Sequence, residues 1–426
     1  MAQGNQGSAM GEPIVGRLHQ ALVFRNITYG RAERFAPAEL LPFEDAVPQG
    51  TRGPLPPQQP SRLAIALGPQ APLTQREDCQ VLSIHTPDLR GTRPVLVWFH
   101  GGAHVSGGGE LPWYDGARLA TEQDVVVVAV TFRLGVLGHY YEDGMEGPSP
   151  AMTDQMAAIE WVHRNIREFG GDPESIVLAG QSAGAMSIEV MLRWGLGPHV
   201  VGAILQSGNL RDPSVTYSPT TARAHARAFD SVLSGRNAHD LTVDELLHAQ
   251  GVFAARMNGP TWGPVRPEID RPVNMPILGG WTADDDLPFT ALSHGFDRLT
   301  WDVRMLLDAQ VQADTSVMYR DPTIGILREA RAQGFKAWAY CFTWAVPDSP
   351  WGSPHCMELP FLLGGREAWA SAPMLAGANW DDIEQLGRGV RRAWANFMRT
   401  SNPGSGWAEW SPDSMRVNHI PRPTAR

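Results

Sequence analysis

Two runs in the first third of the chain, RPVLVWFH (93–100) and DVVVVAVTF (124–132), carry apolar residues at successive positions rather than at alternate ones. A strand with one wet face alternates apolar and polar, so an unbroken β-branched run predicts a strand covered on both faces, as in a parallel sheet. The period then changes. In TDQMAAIEWVHRNIREFGGDP (153–173), Met156, Ile159, Val162 and Ile166 recur at helical spacing, and Gly-Gly-Asp-Pro ends the pattern. SIVLAG (175–180), VVGAILQSG (200–208) and KAWAYCFTW (336–344) return to strand composition, and VRRAWANFMRTSNP (390–403) predicts a closing amphipathic helix stopped by Asn-Pro. Strand, helix, strand in this order implies right-handed crossovers and an open, mostly parallel α/β sheet.

The segments 211–262 and 287–335 are polar and helical in texture, and no second core is legible in them. They predict helical excursions above the carboxyl edge of the sheet, where ligands of open α/β folds bind, within one domain spanning 1–426. Composition agrees with a large globular core: 43% of the 426 residues are hydrophobic and 19% charged. The formal charge of −10, spread without long runs of one sign, makes nucleic acid and an anionic membrane poor partners. MAQGNQGSAMGEP lacks the basic and apolar regions of a signal peptide, and no stretch approaches the ~20 apolar residues of a membrane span, so the expected location is cytoplasmic. Three cysteines, Cys79, Cys341 and Cys356, suit a reducing compartment better than a disulfide framework. No metal site is expected: His100 and His104 are four apart, but in a glycine-rich loop rather than on a helix with an acidic partner. The 15 tryptophans are expected mainly in the core.

Candidate chemistry centres on SIVLAGQSAGAMS (175–187). A buried strand runs into Gly180-Gln181-Ser182-Ala183-Gly184 and then into a helix, which puts Ser182 on a tight turn and the Ala183 N–H at a helix N-terminus, where developing negative charge is stabilised. An isolated G-x-S-x-G is weak, since about 0.2 copies are expected by chance in such a chain. A structural serine in a small-residue bend is the plain alternative. The second feature is WFHGGAHVSGGG (98–109), directly after another buried strand, where Gly101 and Gly102 let backbone N–H groups approach a ligand and, with Ala183, form a candidate oxyanion hole. The loop lacks the Lys-Ser/Thr ending of a P-loop.

Taken with YDGARLA (114–120), VTFRLGVLGH (130–139), DQMAAIEWVHRNIREFGGDP (154–173) and GAILQSGN (202–209), these motifs together resemble the type-B carboxylesterases, the α/β-hydrolase group that includes bacterial para-nitrobenzyl esterases and the cholinesterases. Looser echoes extend over nearly the whole chain. The resemblance implies an α/β-hydrolase fold and a serine esterase acting on a small-molecule ester through an acyl-enzyme, without a cofactor. It places the base at His355, in WGSPHCMELPFLLG (351–364), and the orienting acid in TADDDLPF (282–289), where Asp285 takes the position of the family's glutamate and Asp284 and Asp286 remain alternatives. Asp286 replaces a glycine, which puts the turn in question. Gln181 stands where many members carry glutamate and His104 where phenylalanine is common, and both are candidate substrate-binding residues. The likeness also suggests a Ser207 hydrogen bond near the acid, a Glu77–Arg133 ion pair, and Cys79 as a free buried thiol. A non-catalytic cholinesterase-like binding protein on the same fold is the competing class.

Overall fold

The computed structural model describes residues 16–208, 210, 216–257 and 262–421. The N-terminal MAQGNQGSAMGEP stretch and parts of the 211–262 excursion lie outside the described residues. Ten strands form the main sheet: β1 (Gly16–Leu18), β2 (Ala21–Thr28), β3 (Val81–Thr86), β4 (Arg93–Phe99), β5 (Val126–Val130), β6 (Gly171–Gln181), β7 (Val200–Gln206), β8 (Ile277–Thr282), β9 (Ala337–Phe342) and β10 (Asn418–Ile420). Their spatial order is β1-β2-β3-β5-β4-β6-β7-β8-β9-β10. The β1–β2, β2–β3 and β3–β5 pairs are antiparallel, and every later pair is parallel. The chain has the α/β-hydrolase fold.

The unbroken apolar runs are explained by burial on both faces. In β4 and β5, Leu96, Trp98, Val127 and Ala129 join one core cluster, while Val95, Val97, Phe99, Val126, Val128 and Val130 join the other. The second cluster is closed by Ile159 and Val162 of α1 (Pro150–Asn165), Ile188 and Met191 of α2 (Ala183–Trp194), and Ile326 and Leu327 of a later helix over Asp321–Ala332. The first cluster is closed by Ile383, Val390 and Trp394 of the C-terminal helix (Trp380–Thr400). That helix begins ten residues before the predicted start at 390 because Asn379 caps it, its side-chain oxygen accepting from the Asp381 N–H at 3.1 Å. Six of the tryptophans, among them Trp98, Trp161 and Trp394, are fully buried.

The 211–262 segment carries α3 (Pro219–Asp230) and α4 (Val243–Met257), and the 287–335 segment carries α5 (Leu287–Ser293), α6 (Trp301–Thr315) and α7 (Asp321–Ala332); α7 is no excursion, since its Ile326 and Leu327 pack against the sheet. Phe229, Phe253 and Trp262 pack in a smaller cluster that also takes in Phe35, Val136 and Leu137. Gln250 of α4 accepts the Val136 N–H at 2.8 Å, and the Gly135 N–H bonds the His104 carbonyl at 2.7 Å, so this cluster is tied to the glycine-rich loop.

The expected ion pair does not form. Arg133 does not pair with Glu77: its guanidinium and its own N–H grip Asp154 of α1 at 2.7–3.0 Å, with both side chains buried. Glu77 is half-exposed and instead accepts from Arg34, Nε to Oε2 at 2.9 Å. The fully buried carboxylate takes the fully buried guanidinium, because either charge left alone inside would cost several kcal/mol.

Candidate active site

β6 ends at Gln181, and α2 begins at Ala183, so the chain reverses within Ser182. Ser182 has φ 56° and ψ −125°, a sparsely populated conformation for a residue with a side chain. The turn is held on both sides: the Ser182 N–H donates to the Gln206 carbonyl at 2.8 Å, and the Ser182 carbonyl accepts from Met186 at 3.1 Å. Gly184 has no room for a side chain, since a Cβ there would lie 2.0 Å from the Phe99 carbonyl oxygen. This lets α2 start directly against β4.

The glycine-rich loop meets the same corner. A Cβ on Gly101 would lie 3.0 Å from Ser182 Cβ and 2.9 Å from the Gln181 carbonyl oxygen, so only glycine brings this backbone so near the serine. The Gly102 carbonyl accepts from the Val105 and Ser106 N–H groups at 3.1 and 3.0 Å. Among the described residues, the Gly101 and Gly102 N–H groups donate to no other backbone group. The Ala183 N–H, at the first position of α2, has no intrahelical acceptor.

His355 is wholly buried and reaches this corner from the loop after β9. Asp284 anchors that loop: its carboxylate accepts from the Ser353 N–H at 2.8 Å, and its N–H donates to the Ser353 carbonyl at 2.9 Å. Arg304 and Gln312 of α6 hold Asp284 from outside at 2.6 and 2.9 Å. Asp285 faces inward instead. Its Oδ1 is 2.5 Å from His355 Nδ1, and its Oδ2 accepts from Ser207 Oγ at 2.7 Å and the Thr282 N–H at 2.8 Å. Asp286 turns the other way, accepting from Thr290 Oγ at 2.6 Å, with burial pushing its carboxyl up to about 6. Its backbone is right-handed (φ −81°, ψ −6°), so the position occupied by glycine in the resembled family needs no left-handed residue here.

Gln181 is buried against the same corner, its side-chain Nε2 3.0 Å from His355 Nε2. Among the described residues, no hydrogen bond joins Ser182 Oγ to the ring. Phe289 and Tyr319 flank the imidazole, with ring centroids 5.0 and 5.4 Å away. Beneath it, Glu358 is buried, pushed up to about 7 by burial and then by the neighbouring Asp285 charge, and its Oε1 accepts from Gln206 Nε2 at 3.2 Å. Burial also pushes the Cys356 thiol well up, which keeps it protonated and unsuited to thiolate chemistry. Phe289, Tyr319 and Gln206 carry no sequence signal, because they arrive from separate elements; Glu358 was visible only as part of the HCMEL stretch.

His104 is 3% exposed, its ring edge-on to that of His139 at 5.2 Å, and neither of its nitrogens has a partner. Burial, followed by the nearby His100, pushes it down to about 3, so it stays neutral. Orphaned buried polar groups destabilise a fold, so His104→Phe is expected to raise the unfolding free energy by about 1–3 kcal/mol at pH 7.5. The unfolded imidazole takes a proton near pH 6.5 while the folded one does not, so wild-type stability falls with pH below that value. The advantage of the phenylalanine should therefore be larger at pH 5, as measured by calorimetric Tm at both pH values. An unchanged or lower Tm would mean that the imidazole is satisfied.

The model of the Carboxylesterase family matches residues 5–243, and a probable N-octanoylanthranilate hydrolase of Rhodococcus erythropolis is 34% identical over 93% of this chain and 93% of its own length. The chain belongs to the carboxylesterase family. The para-nitrobenzyl esterase of Bacillus subtilis is 29% identical over 86% of this chain and 83% of that protein. A solved para-nitrobenzyl esterase structure superposes with a TM-score of 0.82 at 25% identity, covering 95% of this chain and 93% of the other. The protein is a carboxylesterase, an enzyme of ester hydrolysis. Among the described residues, no helix is long and apolar enough to cross a membrane.

Proposed function

We propose that this carboxylesterase works through an acyl-enzyme on Ser182, with His355 as base, Asp285 as orienting acid, and the N–H groups of Gly101, Gly102 and Ala183 as the oxyanion hole. The 2.5 Å contact between Asp285 and His355 Nδ1 carries the reading, because it leaves Nε2 as the basic nitrogen and turns it toward the elbow. As Ser182 Oγ bonds to the ester carbonyl carbon, its proton passes to Nε2, and the carbonyl electron pair moves onto the oxygen held by the three N–H groups. The ring then protonates the departing alcohol, and in a second round it activates water to release the acid. The chemistry so drawn needs no cofactor.

In this reading the two segments 211–262 and 287–335 wall the substrate gorge of a single domain; Phe289 and Tyr319 beside the ring support this for the second segment, apart from α7, which packs on the sheet. His104, within the glycine-rich loop and packed against His139, is a further candidate substrate-binding residue in this reading. The three unbonded buried cysteines fit a reducing, cytoplasmic setting.

A fluorophosphonate probe followed by peptide mapping tests the reading. Labelling is expected at Ser182 and is expected to disappear in His355→Ala; an unlabelled wild type would favour the non-catalytic binding protein. The names of the relatives put N-octanoylanthranilate and a para-nitrobenzyl ester on the first substrate panel, beside esters varied in acyl and alcohol size.

A further inference from the structure

Because Asp285 accepts from Nδ1–H, His355 Nε2 carries a bare lone pair, and only a donor is stable at 3.0 Å from it. The group in that place is the Gln181 side-chain nitrogen, from the residue before the nucleophile, while the amide oxygen lies on the Gly101 side. The lone pair that must accept the Ser182 proton is thus already engaged. The geometry points to Gln181 as a positioning residue of the resting enzyme, whose amide N–H holds the His355 lone pair against the elbow and yields it to Ser182 when substrate binds. This rests on the reading of His355 as base.

The release follows from the chemistry of the step. When the Ser182 proton moves to Nε2, that nitrogen becomes an N–H donor, and the amide N–H facing it turns from partner to rival. The amide must withdraw or present its oxygen. A glutamate at 181 would behave oppositely, attracting the protonated ring and offering nothing to the neutral one. Other groups act on the same imidazole: Asp285 on Nδ1, Asp286 and Glu358 through their charges, and Phe289 and Tyr319 across its faces. All are retained when residue 181 alone is changed.

The test is the pH dependence of para-nitrophenyl ester hydrolysis by wild type, Gln181→Met and Gln181→Glu. A donor bond stabilises the neutral ring, so its removal makes the ring take its proton at higher pH. The acidic limb of kcat/KM in Gln181→Met is therefore expected to move up by roughly half to one pH unit, the scale of one hydrogen bond. Gln181→Glu should move it further. The limb of kcat, which reports the substrate complex, should move less, because the amide has then already let go. Limbs coincident with the wild type, or a uniform loss of rate with unmoved limbs, would overturn the inference and leave Gln181 a packing residue. Should Gln181→Met fail to fold, Gln181→Leu, which likewise removes the donor without adding a charge, makes the same measurement. Wild type unlabelled at Ser182 by fluorophosphonate would sink both this inference and the reading of the site; labelled wild type with unmoved limbs sinks this one alone.

Discussion

Asp285→Asn is expected to lower kcat for a para-nitrophenyl ester by about 10³–10⁴-fold, and Asp284→Asn by less than about tenfold. The asymmetry follows from which donors each carboxylate holds. Asp285 Oδ2 is pinned by the Ser207 hydroxyl and the Thr282 N–H, so an asparagine at 285 keeps its oxygen there and turns its NH₂ toward His355 Nδ1. The ring must then accept at Nδ1 and carry its proton on Nε2. In that tautomer it has no lone pair to take the Ser182 proton, although nothing has moved. Asp284 never touches the ring. It pins Ser353 and binds Arg304 and Gln312, and an asparagine oxygen still accepts the Ser353 N–H. Its loss should appear as a lower Tm rather than a lower kcat. Steady-state kinetics of the two variants at pH 8 decide the assignment; equal and small effects would refute it.

The turn that decides this point was the least legible part of the sequence. Three successive aspartates offer three carboxylates of one chemistry, and only the backbone path separates them: Asp284 outward to α6, Asp285 inward to the ring, and Asp286 to Thr290 at the head of α5. The strands were legible because two-sided burial writes itself as unbroken β-branched runs, and β4, β5 and β7 end within two residues of their predicted ends. The Ser182 turn and the glycine-rich loop beside it were legible because their glycines answer to local sterics. Pairings across the fold left weaker traces. Arg133 had several acidic residues to choose from, and burial, which no local pattern reports, selected Asp154 over Glu77. Nor does any local pattern report that the Gln181 amide, on a candidate substrate-binding residue, lies against the imidazole.

That buried Arg133–Asp154 pair supports the second large effect. Arg133→Met is expected to cost about 3–5 kcal/mol of stability, measured by denaturant unfolding at pH 7.5. Asp154 would keep only the residue-133 backbone N–H at 3.0 Å and the Gln80 amide at 3.5 Å, too little for a carboxylate with no solvent contact. Asp154→Asn should cost less. Arg133 would still donate to the carbonyls of Glu33, Ala36 and Pro150 at 3.2, 2.8 and 3.3 Å, and the asparagine oxygen would accept one more bond. Arg133→Met with Asp154→Leu removes both charges and is expected to recover a large part of the loss, because the penalty of the single variant is the stranded carboxylate rather than the missing attraction. A double variant less stable than Arg133→Met would mean that the pair itself, and not the avoidance of a lone buried charge, holds α1 to the strand that precedes the short 135–139 helix.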